Sequence, residues 1–179
     1  METTFFRNDN KKATWFEIDL KEVADMRIEI FGKNKRDIVL PYSMFDYNWI
    51  NHVKNKSKAP YLIVAAGVFH YFDKKTIVEF LKKMKEFNNV EVVFDTVSKL
   101  GMKGTKRYMK KIGKNANTMY FYVNNVKDFI KEIGPNTKLL DKRDYYSFIK
   151  DKKRFKVMTK IFMTVSDLLH MLKIIHIKL

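Results

Sequence analysis

The feature that most constrains this fold is an alternation of short β-branched or aromatic runs with longer segments of helical period. The runs that indicate strands are residues 14–19, 37–40, 61–66, 90–94, 138–141 and 174–179. The segments that indicate helices are residues 21–31, 74–87, 103–112 and 166–172, and a short one that Asn124 or Asn125 begins and Gly134 ends. This order predicts an α/β fold with a doubly wound, mostly parallel sheet and helices on both faces.

The run over residues 61–66 indicates a strand in the middle of that sheet. They read Tyr-Leu-Ile-Val-Ala-Ala and are apolar on both faces, as expected of a central parallel strand covered by helices on each side. We find no internal repeat, no low-complexity linker and no domain boundary along the 179 residues. The sequence therefore predicts a single domain over residues 1–179.

The charge balance leaves two interpretations open. The chain has 36 Lys and Arg against 20 Asp and Glu, a formal net charge of +16, but only six of the 36 are Arg. Because recognition of phosphates and bases relies on bidentate Arg, we favour a solvated lysine-rich surface over a nucleic-acid site. Two basic clusters keep the second interpretation open. They are Lys99, Lys103, Lys106, Arg107, Lys110, Lys111 and Lys114, and Lys150, Lys152, Lys153, Arg154, Lys156 and Lys160.

Several classes of protein are excluded by what the sequence lacks. Without cysteine there is no disulfide framework, no thiolate zinc site and no cysteine nucleophile. The four histidines have no ligand spacing, so we expect no metal. Glycine-rich nucleotide loops, the nucleophile elbow of hydrolases and the zincin motif are also missing. No apolar run reaches the roughly 20 residues of a membrane-spanning helix, and we expect a soluble, cytoplasmic protein without a membrane partner.

In an open α/β sheet, ligands bind beyond the carboxyl ends of the strands. The residues predicted at those ends are Glu17, Asp19, Ser43, Met44, residues 66–71 and residues 95–98. An acidic residue at such a position can accept hydrogen bonds from both hydroxyls of a ribose, which makes Asp19 the strongest candidate. The alternative is structural, because Asp19 followed by Glu22 resembles a capping box for the helix over 21–31.

His70 and Tyr71 follow the predicted central strand, where a substrate could approach. They lie in the run Phe69-His70-Tyr71-Phe72. Aromatic runs at such positions belong more often to the core or a pocket wall than to catalytic machinery. We therefore keep His70 and Tyr71 as weak catalytic candidates only.

Several segments, taken in order, resemble the leucine carboxyl methyltransferase family, including its tetracenomycin-type polyketide O-methyltransferase branch. The matching segments are residues 5–10, 15–23, 45–50, 62–72, 93–98 and 175–179, which together span essentially the whole chain. The resemblance implies a class I, Rossmann-like methyltransferase fold whose last strand is antiparallel to the others.

The resemblance also implies a cofactor and a reaction. By similarity, S-adenosylmethionine would be held with Asp19 on its ribose, Ser43 and Met44 along its adenine, and the turn at Ala66 and Gly67 facing its methionine end. The implied reaction is methyl transfer to a carboxylate or hydroxyl of a small molecule, as in polyketide biosynthesis. A carboxylate acceptor needs no general base, whereas His70 or Tyr71 could orient a hydroxyl.

Two departures from the family pattern favour other interpretations. The family usually carries Glu where this chain has Ala66, and the segment that would hold the family's first strand and glycine-rich loop is not in the sequence. We therefore expect an N-terminally truncated fold in which either strands 14–19 and 61–66 pair directly, or two uncovered sheet edges favour self-association. The alternatives to an enzyme are a non-catalytic methyltransferase-like remnant or binding subunit, and a basic nucleic-acid-binding protein.

Overall fold

The chain forms two compact units, Met1–Lys58 and Ala59–Leu179. A computed structural model describes residues 3–8, 10–113 and 119–179. The single domain over residues 1–179 stays a prediction.

The first unit is built around a parallel strand pair. Its elements are α1 (Thr4–Arg7), β1 (Trp15–Asp19), α2 (Lys21–Phe31), β2 (Asp37–Pro41) and α3 (Asn48–Lys56). β1 and β2 run parallel, with Trp15 opposite Asp37 and Asp19 opposite Pro41. α2 connects them and ends where predicted, at Gly32, whose φ of 72° suits a residue without a side chain. Strand, helix and strand thus follow the alternation seen in the sequence.

The second unit holds a four-stranded sheet in the order β3-β4-β6-β5. Its elements are β3 (Tyr61–Ala65), α4 (Lys74–Met84), β4 (Val90–Val97), α5 (Lys99–Lys111), α6 (Val126–Ile133), β5 (Lys138–Asp144), α7 (Val157–Leu168) and β6 (Leu172–Lys178). β3 and β4 are parallel, and β6 is antiparallel to both β4 and β5. The prediction of an antiparallel last strand in a mostly parallel α/β fold is confirmed.

The core of the second unit fixes the chain that leaves β3. Phe69 lies in a single 3-10 turn, Phe69–Tyr71, and is fully buried. Its ring centroid is 5.3 Å from that of Phe94 on β4 and 5.9 Å from that of Phe121. Offset and edge-to-face aromatic contacts of this kind stabilise beyond the area they bury. The turn after β3 is therefore anchored in the core rather than free to move.

The bounds of α7, α5 and β4 differ from the predictions. The helix expected over 166–172 ends at Leu168, because His170 takes a positive φ of 48° and the Met171 N–H closes a turn onto the Ser166 carbonyl. α7 instead begins at Val157, with no side-chain cap to mark its start. α5 begins at Lys99 rather than at 103. β4 continues past residue 94 to Val97 because it pairs with β6 along its whole length, so Asp95 lies inside the strand.

β3 lies at the edge of its sheet rather than at the centre. Within the described residues it pairs only with β4, and β1 pairs only with β2. Leu62 and Val64 are 59% and 50% exposed, so one face of β3 is open. Apolar residues on both faces of a strand look the same in a sequence whether or not the second face is covered.

Candidate functional site

Asp19 ends β1 with its carboxylate exposed to solvent. Its Oδ1 accepts a hydrogen bond of 2.8 Å from the backbone N–H of Leu20. Leu20, not Asp19, is the N-cap residue of α2, and no side chain caps that helix. The capping-box alternative is therefore wrong, and within the described part of the chain Asp19 Oδ2 has no hydrogen-bond partner. A carboxylate with a free oxygen at a strand end can accept hydrogen bonds from a ligand.

Glu17, two residues earlier on β1, is engaged within the protein. Its Oε1 accepts a hydrogen bond of 3.1 Å from Arg27 of α2, and the same guanidinium donates to Asp37 of β2 at 3.0 Å. Arg27 is only 4% exposed. The two carboxylates and the arginine form a buried network that joins both strands to the helix between them. No pattern in the sequence indicated this network, because buried and exposed charges on a helix look alike in a sequence.

Ser43 and Met44 lie in the half-buried loop after β2. The Ser43 hydroxyl accepts a hydrogen bond of 3.3 Å from the Phe45 N–H. The Met44 carbonyl accepts one of 3.1 Å from the indole N–H of Trp49, which is buried on α3. Because Asp19 is opposite Pro41 in two parallel strands, Asp19 and the loop after β2 both lie at the carboxyl end of this sheet. The first unit thus brings the residues predicted to hold the ribose and the adenine to the carboxyl end of its two strands.

In the second unit, Asp95 holds the turn after β3. Its Oδ1 accepts a hydrogen bond of 2.6 Å from the Gly67 N–H, and its Oδ2 lies 3.1 Å from His70 Nε2. Gly67 has a φ of 70°, which favours glycine there, and Ala66 beside it is exposed. Burial alone would raise the pKa of Asp95, but the hydrogen bonds from His70 and the Gly67 N–H outweigh it and lower the pKa from its ordinary 3.8. Asp95 therefore lies inside β4, and its ionised carboxylate holds the turn after β3 through Gly67 and His70.

His70 and Tyr71 are neighbours in sequence but lie in different environments. His70 is 8% exposed, whereas Tyr71 is 56% exposed. Because Asp95 is a carboxylate, His70 Nε2 carries the hydrogen of their bond. His70 Nδ1 is buried without a hydrogen-bond partner among the described residues. His70 thus helps to position the turn, and Tyr71 presents its hydroxyl to solvent.

The first basic cluster lies on one face of α5. At about 100° per residue, its six members from Lys99 to Lys111 fall within an arc of roughly 140°. Five are exposed, and the partly exposed Lys106 has its ammonium 6.0 Å from the centroid of the Tyr120 ring. Lys114, the last residue of the predicted cluster, lies outside the described residues. The face is continuous and cationic, since α5 contains no acidic residue.

Among residues 3–8, 10–113 and 119–179, no group of three or more His, Asp or Glu is placed so that it could hold a metal ion. None of the helices in these ranges combines the length and the apolar character needed to cross a membrane.

Comparison with known proteins identifies the fold but no family. No protein-family model matches the sequence, and no curated protein is significantly similar to it. Among solved structures, LepI in complex with S-adenosylmethionine matches with a TM-score of 0.56 and 10% identity over 98% of this chain. A DUF574 family protein from Streptomyces avermitilis matches with a TM-score of 0.59 and 9% identity over 90%. The O-methyltransferase NcsB1 of neocarzinostatin biosynthesis matches with a TM-score of 0.50 and 14% identity over 90%.

This chain spans 38%, 63% and 40% of the lengths of those three solved chains, in the same order. At such low identities the likeness establishes the fold alone. The chain therefore has the α/β fold of class I methyltransferases, with a mostly parallel arrangement of strands and an antiparallel last strand.

Proposed function

We propose that this chain binds S-adenosylmethionine and serves methyl transfer to an oxygen of a small molecule. The observation that carries the proposal is the free carboxylate oxygen of Asp19 at the carboxyl end of β1. Support comes from the shared fold, since LepI was solved with S-adenosylmethionine and NcsB1 with that cofactor and a naphthoic acid. Ligands of open α/β sheets bind at this kind of strand end.

The residues present fit parts of the cofactor. In the first unit, Asp19 would accept hydrogen bonds from the ribose hydroxyls, and Ser43 and Met44 would flank the adenine. In the second unit, the turn at Ala66 and Gly67 would face the methionine end. The Gly67 N–H already donates to Asp95, so this turn would contribute shape rather than a donor. Glu17, held by Arg27, would support β1 rather than bind the ligand.

The acceptor chemistry demands little of the protein. S-adenosylmethionine, when bound, supplies a methyl group on a positively charged sulfur. A carboxylate acceptor is already nucleophilic, so the protein would need only to align it and exclude water. For a hydroxyl acceptor, the exposed Tyr71 hydroxyl could orient the substrate, whereas the buried His70 would act through the turn. An aromatic acid or phenol of the polyketide type is the acceptor class that we propose.

The test is isothermal titration of the purified chain with S-adenosylhomocysteine. We expect saturable binding that Asp19→Ala weakens at least tenfold, because a hydrogen bond to a charged group contributes roughly 1.5–3 kcal/mol. Asp25→Ala is the matched control, since Asp25 is also exposed and, within the described residues, pairs only with Lys21 on the surface of α2. A thermal melt of each variant checks that the fold is intact.

The outcomes separate the proposal from its alternative. Equal affinity of the Asp19→Ala and Asp25→Ala variants would remove Asp19 from the site. No binding by a chain that melts cooperatively would favour the non-catalytic remnant or binding subunit.

The cationic face of α5 supports a second candidate function, binding of a nucleic acid. Six cations facing phosphates would make the logarithm of the affinity fall by about five for each logarithmic unit of salt. Gel shift with duplex DNA and with RNA over a salt series measures this slope. We expect Lys103→Gln/Arg107→Gln to reduce it by about two. No shift at low salt would rule the function out.

A further inference from the structure

α7 presents a continuous apolar face to solvent. Seven large apolar residues of this helix and its C-cap are between 42% and 75% exposed. They are Val157, Met158, Ile161, Phe162, Val165, Leu168 and Leu169. Single exposed apolar residues are normal on protein surfaces, but a contiguous group of this size marks an interaction site.

The geometry of the helix shows that these residues form one surface. At about 100° per residue they fall within an arc of roughly 140°. The two buried residues of α7, Met163 and Ser166, lie outside this arc. α7 is further held by Tyr146, whose ring centroid lies 6.1 Å from that of Phe162 and whose N–H donates to Asp167 at 3.1 Å. The apolar face therefore points outward from a helix that is already packed.

A cationic segment leads into this face. Residues 150–156 contain five cations and one acid, Asp151, and Lys160 follows on the first turns of α7. Lys150, Lys153, Arg154 and Lys156 are exposed. Within the described residues, Lys150 to Lys160 make no ion pair with an acidic side chain. The surface thus combines uncompensated positive charge with an adjacent apolar stripe.

This combination selects one kind of occupant. A second copy of the chain would bring two cationic segments together, in a protein whose net charge is already +16. A nucleic acid would match the charges but leave the apolar stripe in water. An anionic lipid surface satisfies both, since its headgroups attract Lys and Arg and its acyl chains accept the apolar face.

We propose that α7 lies on anionic membrane surfaces, with residues 150–156 at the headgroups and its apolar face in the outer part of the acyl region. The twelve residues of α7 span about 18 Å, too short to cross a bilayer but suited to lying in its plane. The sequence-based expectation of no membrane partner rested on the lack of a spanning helix and does not address this mode. The proposal is independent of cofactor binding.

The test is co-sedimentation of the full chain with vesicles of phosphatidylcholine alone and of phosphatidylcholine mixed with phosphatidylserine. We expect partitioning onto the anionic vesicles that weakens with salt, and little onto the neutral ones. Lys153→Gln/Arg154→Gln should reduce the partition coefficient by about 25-fold, since each cation near an anionic surface changes it about fivefold. Lys103→Gln/Arg107→Gln on α5 removes the same charge elsewhere and should have a much smaller effect.

The apolar contribution is tested separately. Met158→Ser/Ile161→Ser should abolish sedimentation without lowering the melting temperature, because both side chains are exposed in the folded chain. Met26→Ser/Ile30→Ser makes the same change at exposed positions of α2 and should leave binding intact. Equal binding to both vesicle types would overturn the proposal, and so would an equal loss of binding in the Met158→Ser/Ile161→Ser and Met26→Ser/Ile30→Ser variants. So would a dimer in light scattering that only Met158→Ser/Ile161→Ser disrupts, since a second copy would then cover the face.

Discussion

At the scale of single residues, two groups of electrostatic contacts hold the strands in place. Arg27 bridges Glu17 and Asp37 in the first unit, and Asp95 bridges Gly67 and His70 in the second. Each contact fixes a strand next to a predicted ligand position. Both contacts join residues ten or more positions apart, and both can be tested by single substitutions.

Arg27→Met should lower the free energy of unfolding by about 3–5 kcal/mol, because it leaves two largely buried carboxylates without their partner. Urea denaturation measures this loss. Lys21→Met breaks an exposed ion pair on the same helix, which water and salt screen, and should lower the free energy of unfolding far less. If the two variants unfold at the same urea concentration, the network does not stabilise the fold.

Asp95→Asn should make stability less dependent on acid pH. Because the pKa of Asp95 is lower in the folded state than its ordinary 3.8, its contribution is complete above about pH 4 and is lost as the pH falls through the folded value. We expect the variant to melt below the parent at pH 6 and the difference to narrow at pH 3. A constant difference across this range would show that the carboxylate charge does not contribute.

At the scale of elements, the start of α5 depends on one close approach. Gly101 lies against the loop before β6, and a Cβ there would overlap the Met171 carbonyl. That carbonyl also accepts a hydrogen bond of 2.9 Å from Ser98, whose side chain caps α5 by accepting from the Gly101 N–H at 3.1 Å. Gly104, one turn later, faces only the end of the Met171 side chain at 3.3 Å. Two glycines of the same helix therefore meet different constraints.

Gly101→Ala should destabilise the protein by more than 1 kcal/mol, because the rigid Met171 backbone must shift. Gly104→Ala should be neutral or stabilising, since a flexible side chain can move and alanine favours the helix by about 1 kcal/mol. Thermal melts of the two variants measure the contrast. Equal effects would contradict the close packing of α5 on this loop.

At the scale of the whole molecule, exposed apolar surface competes with charge. β3 has an unpaired edge within the described residues and two exposed apolar side chains, Leu62 and Val64. Unpaired edges favour association, whereas a net charge of +16 opposes it through repulsion that salt screens. We therefore expect association to rise with ionic strength.

Val64→Lys should reduce that association, because a lysine on the edge strand discourages pairing. Sedimentation velocity at low and high salt measures it. Ile30→Lys adds the same charge at an exposed position of the helix α2 and should have a smaller effect. Association that both substitutions reduce equally would be a matter of net charge and not of the edge.

The sequence by itself determined the elements that local rules govern. α2 was predicted with its observed bounds because an amphipathic run ends at Gly32, and Asn125 was one of two predicted caps for α6. The α/β class followed from the alternation of strands and helices. Asp19 was placed correctly at a strand end, and its role as a cofactor ligand stays a prediction.

Only the tertiary structure decided which groups are paired and which are open. In the folded chain Asp19 does not cap α2, and Glu17 accepts a hydrogen bond from Arg27. Asp95 lies inside β4 and accepts a hydrogen bond from the N–H of Gly67, 28 residues away. It also left one face of β3 and one face of α7 uncovered, where the sequence showed only apolar residues. The physical reason is that hydrophobic period and chain breakers act over a few neighbouring residues, whereas pairing and burial depend on contacts between distant parts of the chain.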